Sequence, residues 1–101
     1  MKLKNISESS LFDDLKDPEF AAAYLEAVLQ DGSLNTFLIA LRNVAEATGG
    51  IGALAKATDL GRESMYKTLS EEGNPQFSTV QTILKGLGLK ISISPNDQEA
   101  A

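Results

Sequence analysis

Apolar positions recur along most of this chain at spacings of three and four residues, in five stretches separated by breaks that carry Gly, Pro or Ser. That period predicts helices. Asp17-Pro18-Glu19 marks a helix start, with Asp as N-cap, Pro at the first helical position and Glu in the first turn. The first helix runs to about Gln30 with Phe20, Tyr24, Leu25, Val28 and Leu29 inward. Asp31-Gly32-Ser33 breaks it, and Ser33 can cap a second helix that carries Leu34, Phe37, Leu38, Leu41, Val44 and Ala45 to the core and ends at Gly49-Gly50. A third helix puts Ile51, Leu54, Ala55 and Thr58 on one face. After a turn at Thr58-Asp59-Leu60-Gly61, a fourth buries Met65 and Leu69. Residues 70–75 form a loop, punctuated by Gly73 and Pro75. Ser78-Thr79-Val80-Gln81 reads as a capping box for a fifth helix, which faces Val80, Ile83, Leu84 and Leu87 inward and stops at Gly86 or Gly88.

The pattern changes at the end. Leu89-Lys90-Ile91-Ser92-Ile93-Ser94 alternates apolar and polar, the period of a strand, and Pro95 closes it. A lone strand cannot satisfy its own backbone groups. Its partner is residues 3–6 of the chain, its copy in a second subunit, or an edge on another protein; the alternative is a tail resting on the core. The first dozen residues read as an arm, in which Ser7-Glu8-Ser9-Ser10 is polar and has no helical pattern. The expected fold is all-α with a short C-terminal strand. Its parts are an N-terminal arm (1–15), a helical domain (16–88) and a C-terminal strand and tail (89–101).

Composition narrows the chemistry. The 101 residues contain neither Cys nor His, so disulfides, thiol chemistry and the commonest general base and metal ligand are absent. No apolar run approaches the ~20 residues of a membrane span, and the N-terminus has no apolar signal core, so the expected location is the cytoplasm. Net charge is −5. It is unevenly spread: residues 1–50 hold four cations against eight acids, whereas residues 51–90 hold five against four. The second half is therefore the one suited to a polyanion.

That half holds the third and fourth helices, which together read as a helix-turn-helix. At about 100° per residue, Glu63, Tyr66 and Lys67 lie opposite Met65, with Arg62 and Ser64 on the flanks. A second helix with a polar outer face is the minimal device for presenting side chains to a DNA major groove. Arg62, Glu63, Ser64, Tyr66 and Lys67 are accordingly the candidate DNA-binding residues. Arg62 can reach a guanine edge or a phosphate, while Tyr66 and Lys67 suit sugar and phosphate contacts. Glu63 either accepts from cytosine or steadies the helix N-terminus. Affinity grows with the phosphates neutralised, so one copy of an acidic chain binds weakly and a homodimer on a palindrome is expected.

Several segments spread over nearly the whole chain resemble the probable addiction module antidote proteins, a HigA-like antitoxin family. They are Leu15-Lys16-Asp17-Pro18-Glu19 with Tyr24-Leu25, Phe37-Leu38 with Leu41-Arg42, Leu54-Ala55, and the run from Leu60 to Lys67. Gly73-Asn74-Pro75 and Leu84-Lys85-Gly86-Leu87-Gly88-Leu89 follow in order. The resemblance implies a lambda-repressor-like five-helix domain, an operator-binding dimer that represses its own promoter, and a small basic toxin partner similar to RelE or HigB. Two positions depart from the pattern: Asp59 where the turn usually has Gly, and Gly61 where Ser commonly caps the recognition helix.

Other features carry less. Asp13-Asp14 and Glu71-Glu72 lack a third ligand at useful spacing and read as solvated surface. Gly49-Gly50-Ile51-Gly52 lacks the spacing of a phosphate loop and reads as a connector. Neither a metal nor a cofactor is expected, and no nucleophile–base pair can be assembled, so an enzyme is the weakest class. The acids of the first helix region (Asp13, Asp14, Asp17, Glu19, Glu26, Asp31) suit docking of a basic toxin. The rival readings are a stand-alone prophage repressor and a protein-interaction module that binds no DNA.

Overall fold

A computed structural model describes residues 11–96, and over them regular structure is helical throughout. The helices are α1 (Phe12–Asp14), α2 (Pro18–Asp31), α3 (Leu34–Ala47), α4 (Ile51–Thr58), α5 (Arg62–Thr68) and α6 (Phe77–Gly86). Local chemistry sets most boundaries. The Asp17 carboxylate accepts the Glu19 N–H at 3.0 Å, with Pro18 in the first turn of α2. The Ser33 hydroxyl accepts the Thr36 N–H at 3.3 Å and so caps α3. At the end of α4, Asp59 turns the chain with φ +62°, which lets the Leu60 N–H donate to the Ala55 carbonyl at 3.2 Å.

The core is organised around α3. Phe37, Leu38, Ala40, Leu41, Val44, Ala45 and Ala47 are all buried on that one helix. It packs against α1, α2 and α4, and α4 in turn packs against α5 and α6. Leu15, Leu38, Leu41, Met65, Leu69, Ile83 and Val44 are the largest side chains closed off from solvent. Burying each contributes roughly 1.5–3 kcal/mol. The approach of α6 to α4 is close: a Cβ on Gly86 would stand 2.7 Å from Thr58 Cγ2 and 3.0 Å from Leu54 Cδ1.

The structure corrects the sequence reading in four places. Residues 89–94 form no strand. All the regular structure described is helical, so no sheet edge is offered there, and the suggested partner residues 3–6 lie outside the described residues. Leu89 is half-buried against the core, while Ile91 and Ile93 stand exposed. The capping box is also absent. The Val80 N–H already donates to the Gln76 carbonyl at 3.1 Å, so α6 begins before Ser78, and Ser78 is helical and cannot cap.

Third, α2 buries a narrower stripe than expected. Ala21 and Leu25 are buried and Tyr24 and Val28 half-buried, whereas Phe20 and Leu29 sit about 90° off that stripe and are exposed. Leu34, in the first turn of α3, is exposed too. Fourth, part of the expected arm belongs to the packed body. Leu15 is completely buried, and Leu11 and Phe12 pack on the core.

Two substitutions test these backbone constraints. Asp59 holds a left-handed conformation that costs a side-chain-bearing residue roughly 1–2 kcal/mol. Asp59→Gly should therefore raise stability by about 0.5 kcal/mol or more in urea unfolding, and Asp59→Val should lower it. A Cβ on Gly73 would overlap the Thr68 carbonyl and press on Leu38. Gly73→Ala should cost about 2 kcal/mol, read as a lower melting temperature by circular dichroism.

Candidate nucleic-acid interface

The candidate site is α5 and what surrounds it. Seven residues are too few for a helix to persist alone in water. Two anchors hold this one: Met65 is 1% exposed and Leu69 is closed off entirely. With those side chains inward, Arg62, Glu63, Ser64, Tyr66 and Lys67 are all exposed. The structure thus brings the five sequence-predicted residues together on one outer surface. Glu63 in the first turn and Lys67 in the last both suit the helix dipole. Arg62 opposes it, as a cation in the first turn. Its guanidinium lies along the first turn of α4: a Cβ on Gly52 would be in ordinary contact with it, 3.8 Å from Arg62 Cζ.

Tyr66 is not a free side chain. The Arg42 guanidinium of α3 stands 5.5 Å from its ring centroid, and Arg42 Nε also donates to Glu46 Oε2 at 3.4 Å. A cation over an aromatic ring at an exposed site contributes about 0.5–1 kcal/mol. This contact ties the outer face of α5 to the central helix and adds a third cation, Arg42, to Arg62 and Lys67. The candidate residues read from the sequence omit Arg42. Its signal was the lone cation between Lys16 and Lys56, beside the core positions Leu38, Leu41 and Ala45.

The loop after α5 completes the surface. Ser70 Oγ donates to the Lys67 carbonyl at 2.8 Å, and the Gly73 N–H donates to the Ser70 carbonyl at 3.0 Å. From α3, Asn35 Nδ2 donates to the carbonyls of Glu71 and Gly73. A cleft of about 290 Å³ lies between this loop and α5, bordered by Ser64, Lys67, Glu72 and Asn74. Glu71 and Glu72 are exposed on the loop and are the unfavourable charges for a polyanion here. Among the described residues, the ion pairs are Arg42–Glu46 and Lys16–Asp13, so Arg62 and Lys67 are in neither.

Comparison with known proteins adds the family. Residues 5–95 match the family described as probable addiction module antidote protein. The chain is also 30% identical, over 90 residues, to an uncharacterized protein of Haemophilus influenzae (strain ATCC 51907 / DSM 11121 / KW20 / Rd). That match covers 89% of this chain and 92% of the relative. No solved structure matches the chain. No helix among the described residues is long and apolar enough to cross a membrane. With the family spanning nearly all of its length, this chain belongs to the probable addiction module antidote proteins, which places it in a toxin–antitoxin system with a toxin as its partner.

Proposed function

We propose that this antidote protein is a DNA-binding antitoxin that represses its own operon. One observation carries the reading: Met65 and Leu69 hold α5 on the core while Arg62, Glu63, Ser64, Tyr66 and Lys67 are exposed. Arg62 and Ser64 sit in the half of the helix that enters a major groove first, suited to base edges. Tyr66 and Lys67, with Arg42 behind the ring, suit phosphate and sugar contacts that set register. Glu63 steadies the helix start. The five longer helices and the α4–α5 pair are compatible with a lambda-repressor-like domain, which works as a two-fold dimer on half-sites about 34 Å apart.

Neutralisation of the toxin is the second half of the proposal. The toxin is a small basic protein of the RelE or HigB kind, and the carboxylates of α1 and α2 favour its docking. Asp13, Asp14, Asp17, Glu19, Glu26 and Asp31 are all exposed there, with Lys16 the single cation between Leu11 and Asp31. Opposite charge speeds encounter and selects the partner. The net charge of −5 favours a second reading, a protein-interaction scaffold that leaves DNA alone.

A gel shift with the promoter DNA upstream of the chain's own gene separates the two. The wild-type protein should bind, and affinity should fall steeply as salt rises. Arg62→Ala/Lys67→Ala should bind at least tenfold more weakly with its melting temperature unchanged. The Lys67→Ala change alone should reduce the salt slope by about 1 per subunit. No shift by the wild type at low salt would favour the interaction scaffold.

A further inference from the structure

A groove of about 480 Å³ runs between α2, the start of α3, α6 and the irregular residues 89–92. Its walls include Leu29, Leu34, Phe77 and Ile91, which are 56%, 49%, 63% and 40% exposed. Ile93, next along the same segment, is 93% exposed. Single exposed apolar residues are ordinary on a protein surface, but several gathered on one concavity mark an interface. We propose that this groove is the face through which two copies of the chain pair about a two-fold axis.

Charge selects the occupant. The chain carries 14 acids against 9 cations, yet the ionisable side chains lining the groove are Glu26 and Lys90, one of each sign. A two-fold interface sets a surface against itself and must be self-complementary. Glu26 facing Lys90 of the partner subunit, twice over, meets that condition. A basic toxin is better matched by the carboxylates along α1 and α2.

The segment after α6 points the same way. Residues 89–94 alternate apolar and polar but belong to no ladder among the described residues. Two such segments running antiparallel across the axis supply each other's missing strand. None of the lining residues belongs to α4 or α5, so pairing here leaves the outer face of α5 open. The inference rests on the operator-binding reading only for the purpose of the dimer.

The test is sedimentation equilibrium on the full chain without DNA. The wild type should show twice its 10.8 kDa mass. Phe77→Asp and Ile91→Asp should each weaken self-association at least about tenfold, with the thermal melt retained because both side chains are exposed. Glu26→Lys and Lys90→Glu should each weaken it, and the double swap should restore it. A wild type that stays monomeric, or a dimer indifferent to all four changes, overturns the proposal. So does a dimer lost only on deletion of residues 1–10, which assigns the interface to the arm. Phe77→Asp and Ile91→Asp variants that remain dimeric but no longer bind the toxin overturn it in favour of toxin docking. Loss of operator binding is read separately: an intact dimer whose Arg62→Ala/Lys67→Ala form binds DNA normally counts against the operator reading alone.

Discussion

The insertion of Met65 and Leu69 into the core is the contact on which the candidate site depends. A helix as short as α5 has little stability of its own, because nucleation fixes several dihedral angles for one hydrogen bond. Burial of two side chains supplies what local propensity cannot. It also fixes rotation: once positions 65 and 69 point inward, 63, 66 and 67 must point outward, while Arg62 lies on the flank beside the preceding helix and is exposed. Whatever α5 recognises, its orientation is set by apolar packing and not by the polar residues that would do the recognising.

The central helix does the positioning. Through its buried face α3 organises the core, and through its edge it reaches the site twice. Arg42 covers one face of Tyr66, and Asn35 holds the carbonyls of the loop that follows α5. Gly73 permits the loop to lie against Thr68 and Leu38. Cations lie on α5 and beside it, whereas carboxylates dominate α1 and α2. A chain of net negative charge can thereby present regions of different character to two partners.

Much of this was legible from residue order. Asp17, Pro18 and Ser33 act locally, through hydrogen bonds and dihedral preferences that need no tertiary partner, and their helices start where expected. The burial of Met65 and Leu69 and the exposure of Glu63, Tyr66 and Lys67 follow from helical period, with Arg62 and Ser64 exposed on the flanks. What could not be read depends on neighbours distant in sequence. Phe20, Leu29 and Leu34 have core-like side chains, but which flank of a helix meets the core is decided by packing. The tail alternates like a strand, yet a strand needs an edge that the described chain does not offer. Ser78 satisfies a capping pattern that the backbone overrides by beginning the helix at Phe77. Arg42 is 24 positions from Tyr66, beyond any local rule.

The orientation of α5 toward a duplex is tested most directly by NMR, following backbone amide shifts of the full-length protein as promoter DNA is added. The account predicts the largest changes at residues 61–68, with those of Asn74 and Arg42 next and the buried positions of α3 nearly still. Shifts concentrated on α2 and α6 while residues 61–68 stay unmoved would contradict it.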